Sequence, residues 1–301
     1  MSHKLTGLTA AVHSPFDSCG ELNLSAVESQ AAHLVRNRVE FAFVGGSTGE
    51  SHSLSFDERI RLTEQWCQVA PSFGIKVIVH VGSNCLRDAR SLAAHAQTAG
   101  AIAISALAPM YFKPQSLEVL IDCCAEIASG APALPFYFYD IPVLTGVNFS
   151  MPAFLEQAPA KVPNLAGLKF TNPDLMAYQK CLRTGMDIPW GIDEHMLAAL
   201  SMGAQGAVGS SFNFAAPVYH RLMKAFSEGN LETARQEQLR SVDLITLLAS
   251  YGYMAAAKAT LGFLGVNVGG PRLPNAGLTP EKSKQLQKDL EALGFFEWGA
   301  A

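Results

Sequence analysis

"LAGLKFTNPD", Leu165 to Asp174, ends an apolar run on a lysine and then breaks into polar and turn-forming residues. Leu165, Ala166, Gly167 and Leu168 read as a short buried strand with Lys169 at its C-terminal tip. An ammonium there is costly to desolvate unless something compensates. Lys169 is therefore either a surface residue or a functional group placed at a strand end.

The same apolar pattern recurs on both sides of this stretch. Further runs lie at Gly7–His13, Phe41–Val44, Val77–His80, Ala101–Ala106, Phe136–Tyr139, Ile188–Gly191 and Gly206–Gly209. Between them, Leu24–Val35, Phe56–Val69, Leu86–Ala99, Leu117–Ala128, Met151–Gln157, Leu175–Leu182 and Met196–Met202 carry helical spacing. Seven crossovers thus join eight strands. Near-continuous apolar strands alternating with amphipathic helices imply a parallel sheet covered by helices. Eight repeats in about 210 residues fit an α/β fold of the closed (β/α)8 TIM barrel type. An open doubly wound sheet is the alternative.

After the last strand the spacing stays helical through Ala216–Ser227, Leu231–Leu248, Tyr253–Leu264 and Pro280–Leu293. A barrel needs one helix there. Residues 1–228 are therefore expected to form the catalytic barrel and residues 229–301 a C-terminal helical extension packed on it. Gly265–Gly277, rich in glycine and proline, reads as a surface connection.

Composition narrows the partners. The 301 residues are 49% hydrophobic and 16% charged, the balance of a globular protein with a sizeable core. A formal net charge of -4 supplies no basic stripe for nucleic acid and no basic amphipathic segment for a membrane surface. "MSHKLTGLTAAVHSPF" lacks the apolar core of a signal peptide and no segment approaches a membrane span, so a cytoplasmic location and a small-molecule partner are expected. Cys19, Cys67, Cys85, Cys123, Cys124 and Cys181 form no CxxC pair, and Cys123 and Cys124 read as packed helix thiols. His13, His33, His52, His80, His95 and His195 form no HExxH or similar ligand pair. Neither a metal nor a cofactor is expected.

In a TIM barrel, chemistry sits at the C-terminal ends of the strands. The polar residues collect there: "GGSTGES" after the second strand, "YDIP" at the fifth, Lys169 and Thr171 at the sixth, "GIDE" at the seventh and "GSSFN" at the eighth. Burial disfavours the charged form of a lysine, and a neutral amine can attack a ketone to form a Schiff base. The iminium then accepts the electrons of a breaking carbon–carbon bond. Pairing of Lys169 with a carboxylate such as Asp193 is the plainer reading. Tyr139 ends the neighbouring strand and could carry a proton beside Lys169, or simply plug the barrel top. "GGSTGE", Gly45 to Glu50, is too short for a nucleotide phosphate loop and has no lysine, but its N–H groups with Ser47 and Thr48 could hold a carboxylate.

Taken together, "GLTAAVHSPFD", "APALPFYFYDIPVLTGV", "GLKFTNPDL", "GIDEHMLAALSMGAQGAVGSSFN" and "GPRLP" resemble the dihydrodipicolinate synthase/N-acetylneuraminate lyase family of pyruvate-dependent class I aldolases. The likeness is closer to the lyase branch. It implies reversible cleavage of N-acetylneuraminate, a sialic acid, to pyruvate and N-acetylmannosamine, with no cofactor, by a homotetramer. It also implies that Lys169 is the Schiff-base lysine and Tyr139 the proton relay, that Ser47 and Thr48 hold the substrate carboxylate, and that the Tyr111 hydroxyl lies near that pair. Thr171, Gly191, Asp193, Glu194 and Ser210 match positions that bind the hydroxylated tail. Two adjacent carboxylates can accept several hydroxyl hydrogen bonds, as a polyol requires. The chain departs from the family pattern at Asp140, where many members have asparagine, and at Phe212, where a tyrosine is usual. Leu144 stands where the synthases carry an arginine, which disfavours their reaction. Related aldolases or dehydratases of other sugar acids, and a non-catalytic ligand-binding relative, are the alternatives.

Overall fold

The computed structural model describes residues 4–299, so the first residues of the N-terminal stretch and the last two of the expected extension lie outside the described residues. Strands β1 (Gly7–Ala11), β2 (Phe41–Val44), β3 (Lys76–His80), β4 (Ala103–Leu107), β5 (Phe136–Asp140), β6 (Leu165–Phe170) and β7 (Gly206–Gly209) pair in parallel in the order β6-β5-β4-β3-β2-β1-β7. The expected strand Ile188–Gly191 makes isolated bridges in place of a ladder. Pro189 at its centre has no N–H to donate. Trp190 nonetheless bridges Phe170 of β6 on one side and Ala207 of β7 on the other. Phe170 N–H donates to Pro189 O at 2.9 Å and Trp190 N–H to Gly206 O at 2.9 Å, which closes the barrel.

Helices α1 (Ala26–Arg36), α2 (Phe56–Val69), α3 (Leu86–Ala99), α4 (Leu117–Ala128), α5 (Pro142–Thr145), α6 (Met151–Gln157), α7 (Leu175–Leu182), α8 (Met196–Met202) and α9 (Ala216–Ser227) follow the strands. Their starts are set locally. Ser55 Oγ accepts from Glu58 N–H at 3.2 Å while Glu58 Oε2 accepts from Ser55 N–H at 2.8 Å, a reciprocal cap that begins α2. In α3 the buried Ala89, Ala93 and Ala96 form a stripe of small side chains, which allows close approach to its neighbours. One apolar core lies between helices and sheet, and a second fills the barrel with Phe41, Phe43, Ile78, Tyr137, Tyr139 and Val208.

The chain continues through α10 (Leu231–Ser250), α11 (Tyr253–Phe263), α12 (Pro280–Ala292) and α13 (Phe295–Trp298). Helix α10 lies along α9 and over the Asp193–His195 turn, so the C-terminal helices reach the mouth of the barrel. The 265–277 segment is more than a surface connection. Val266 and Val268 are buried, and Arg272 grips both carboxylate oxygens of Glu58 at 2.6 and 2.8 Å. Among the described residues no helix is long and apolar enough to cross a membrane.

Candidate active site

Parallel pairing of β5 and β6 sets Tyr139 opposite Lys169. The two-residue period of a strand turns both side chains into the barrel mouth. Lys169 is 4% exposed, and its Nζ lies 4.0 Å from the ring centre of Tyr139 and 4.3 Å from that of Phe43. Aromatic faces attract an ammonium and give an amine a dry wall. Among the described residues Lys169 forms no salt bridge, so the plainer pairing with Asp193 is absent. The Tyr139 ring is itself held edge-on by Phe43 and His80, with centroids 6.0 Å away in each case.

Ser47 and Thr48 stand on the turn after β2. Gly45 opens the turn at φ 68°, in the left-handed region where a side chain is strained. Its carbonyl accepts from His80 Nδ1–H at 2.9 Å. Burial pushes the His80 pKa well below its ordinary value, with Arg59 adding to the effect, so the ring is a neutral clamp on the turn. At the other end Ser14 Oγ donates to Gly49 O. The turn thereby brings Ser47 Oγ to 3.5 Å from the Tyr139 hydroxyl.

A cavity of about 640 Å³ opens over these groups, lined in part by Thr48, Tyr139, Lys169, Thr171, Gly191, Asp193, Glu194 and Ser210. Of the ten sequence-selected residues these eight line it, whereas Ser47 and Tyr111 do not. Thr171 Oγ1 lies so close to Gly191 that a Cβ there would fall 1.9 Å from it, and this hydroxyl has no partner among the described residues. Asp193 is buried, with Oδ2 accepting from Ser211 N–H at 2.9 Å and from Ser211 Oγ–H. Burial pushes its pKa up to about 6, against the lowering effect of the Ser211 hydrogen bonds. Ser210 Oγ lies 2.6 Å from the Tyr253 hydroxyl.

Tyr111 stands apart from the other site residues expected from the sequence. Its side chain is 78% exposed, stacks edge-on with Phe112 and does not line the cavity of this chain. Asn84, on the loop after β3, pins this loop: its Oδ1 accepts from the N–H groups of Met110 and Tyr111 at 2.9 and 3.2 Å. The two departures also lie away from the cavity wall. Phe212 is fully buried against Tyr219, with ring centres 4.7 Å apart. Asp140 is buried, its pKa pushed up to about 6 by burial, and accepts from Asn172 Nδ2–H at 3.1 Å. Sequence reasoning missed Tyr253, Ile245 and His195 on the wall. Tyr253 opens α11, where helical spacing marks a packed bundle and nothing local marks a ligand.

The barrel, the lysine at a strand tip and the cavity above it admit comparison with known proteins. Residues 4–293 match the model of the dihydrodipicolinate synthetase family. The chain belongs to that family. Among curated members it is 39% identical over 276 residues, 90% of each chain, to N-acetylneuraminate lyase A of Xenopus laevis. The structure of an N-acetylneuraminate lyase (sialic acid aldolase) from Aliivibrio salmonicida matches with a TM-score of 0.94 and 38% identity, over 97% of this chain and 98% of that one. The family's DHDPS from Cyanidioschyzon merolae matches with a TM-score of 0.89 and 29% identity, over 97% and 99%. The protein is thus an enzyme of the class I aldolase, oxo-acid lyase kind within the dihydrodipicolinate synthetase family.

Proposed function

We propose that the protein cleaves N-acetylneuraminate reversibly into pyruvate and N-acetylmannosamine through a Schiff base on Lys169. The observation that carries this reading is the make-up of the cavity wall. Lys169 is the one Lys or Arg among the described lining residues, beside two carboxylates, Asp193 and Glu194, and the hydroxyls of Thr48, Thr171, Ser210 and Tyr253. Such a wall suits a substrate with one carboxylate near the turn and a neutral polyol tail. Val143 and Leu144 on the same wall offer no cation to a second carboxylic substrate, as a synthase-type condensation would require. The likeness to the lyases of Xenopus laevis and Aliivibrio salmonicida supports the same choice.

In this mechanism Ser47, Thr48 and the turn hold the carboxylate of the open-chain sugar, which sets its ketone against the Lys169 amine. The amine adds to C2 and water leaves, giving an iminium. Tyr139 takes the C4 hydroxyl proton while handing its own phenolic proton to the substrate carboxylate, the C3–C4 bond breaks, and its electrons enter the iminium to form an enamine. N-acetylmannosamine leaves as the aldehyde. Protonation of the enamine at C3 and hydrolysis of the imine release pyruvate and free Lys169. The Tyr139 ring beside Nζ and its hydroxyl 3.5 Å from Ser47 Oγ support this relay. The resemblance also supports a homotetramer.

A product assay over a panel of sugar acids tests the assignment. N-acetylneuraminate should yield equal amounts of pyruvate and N-acetylmannosamine, with undiminished rate in EDTA, because the iminium serves as electron sink. Cleavage of another acid alone, or activity lost to EDTA and restored by a divalent ion, would overturn it.

Two expectations concern the tail. Glu194→Gln should weaken charge-assisted bonds worth about 1.5–3 kcal/mol, lowering kcat/KM for N-acetylneuraminate roughly 10–100-fold. Pyruvate has no tail, so its borohydride-trapped adduct should form as in the unaltered protein. Equal losses in both measurements would mean that Glu194 supports Lys169 instead.

Asp193 gives a pH signature. With its pKa raised to about 6, the carboxylate gains a proton and loses acceptor capacity as pH falls through that value. KM for the sugar acid should therefore rise below about pH 6, whereas half-saturating pyruvate should not follow that curve. Parallel profiles for the two ligands would remove Asp193 from tail recognition.

A further inference from the structure

Glu50 closes the turn that carries Ser47 and Thr48. Its backbone is left-handed at φ 52°, a conformation that a non-glycine residue keeps only when its surroundings hold it. The side chain turns inward and is almost wholly buried. Oε1 accepts from Lys258 Nζ at 2.8 Å and Oε2 from the Arg272 N–H at 2.9 Å. Lys258, equally buried, also donates to Gly270 O at 2.9 Å and lies 4.3 Å over the ring of Phe16. The Arg272 guanidinium covers Phe16 at the same distance and clamps Glu58 at the head of α2. Beside the Thr48 backbone, fully buried His13 is kept neutral, its pKa pushed down to about 3 by burial and then by the Lys258 ammonium.

Two features separate this cluster from an ordinary structural ion pair. It ends on the three-residue stretch that presents Thr48 to the cavity. Its cation sits on α11, the helix whose first residue, Tyr253, meets Ser210 on another part of the cavity wall. One C-terminal helix thereby touches both the turn after β2 and the end of β7. A buried pair brings little stability for its desolvation cost, but it fixes geometry, since each partner loses heavily when the other moves.

We propose that Lys258 and Glu50 are positioning residues for the aldolase reaction: the ion pair ties the Ser47–Thr48 turn to α11 and so sets the height at which the turn meets a substrate carboxylate. This rests on the carboxylate-anchoring role proposed for that turn. Lys258 and Glu50 act through Ser47 and Thr48 and take no part in proton transfer or in the bond that breaks.

The test measures half-saturating pyruvate for borohydride trapping, and KM and kcat for cleavage, in Glu50→Asp, Lys258→Met and the double variant Glu50→Gln/Lys258→Met. Glu50→Asp keeps the charge but shortens the tie by one methylene. The double variant removes both charges and leaves no unpaired ion to unfold the protein. Half-saturating pyruvate and KM should rise about 10-fold in Glu50→Asp and in the double variant, as a displaced anchor requires, with kcat within about threefold. The double variant should recover the melting temperature lost in Lys258→Met without recovering pyruvate affinity. Affinity that tracks melting temperature, values within about twofold of the unaltered protein, or loss of fold in both Glu50→Asp and the double variant would each overturn the proposal, because the pair would then serve the fold alone. Failure of the unaltered protein to trap pyruvate would instead overturn the Schiff-base reading.

Discussion

Lys169→Met should lower cleavage of N-acetylneuraminate by on the order of 10⁴–10⁶, the scale on which removing a covalent nucleophile acts, and should abolish trapping by pyruvate and borohydride. Methionine keeps an unbranched stem between the rings of Phe43 and Tyr139 and deletes the amine. The barrel should stay folded, since the described Lys169 forms no salt bridge whose partner would be stranded. Steady-state assay, circular dichroism and trapping on one preparation separate loss of chemistry from loss of fold. Retention of a tenth of the turnover by a folded variant would remove Lys169 from the reaction.

Tyr139→Phe should cost roughly 10²–10⁴ in turnover, the range of a general acid–base group. The ring that packs against Phe43 and His80 survives, and the lost hydroxyl has only a long 3.5 Å contact with Ser47. Stability should therefore change by less than about 1 kcal/mol. Half-saturating pyruvate for trapping should change far less than cleavage, because the C4 proton exists only in the full substrate. Undiminished cleavage would return Tyr139 to the role of an aromatic plug.

Elements whose limits are encoded next to themselves were legible in the chain. Phe56–Val69 is bounded by the Ser55–Glu58 cap, and Leu86–Ala99 ends where Gly100 takes a left-handed conformation. The run Ile188–Gly191 is apolar enough for a strand, but Pro189 deprives it of a ladder donor, a distinction hydropathy does not carry. Helices α5 and α13, four residues each, are too short for a period to show. Lys169 and Tyr139 were readable because a strand tip in a barrel is a known place. Tyr253 and the Glu50–Lys258 pair were not, since they join residues 43 and 208 positions apart that no local pattern connects. The loop of Tyr111 is pinned by Asn84, on a different loop.

In the proposed reaction Lys169 bonds to the three-carbon fragment of a cleaved sugar acid. Its most direct test incubates the unaltered protein with N-acetylneuraminate, reduces with borohydride and maps the modified peptide by mass spectrometry. The predicted result is a pyruvate-derived group on Lys169, together with free N-acetylmannosamine in solution. A group on any other lysine, or no adduct under conditions in which the sugar is cleaved, would contradict it.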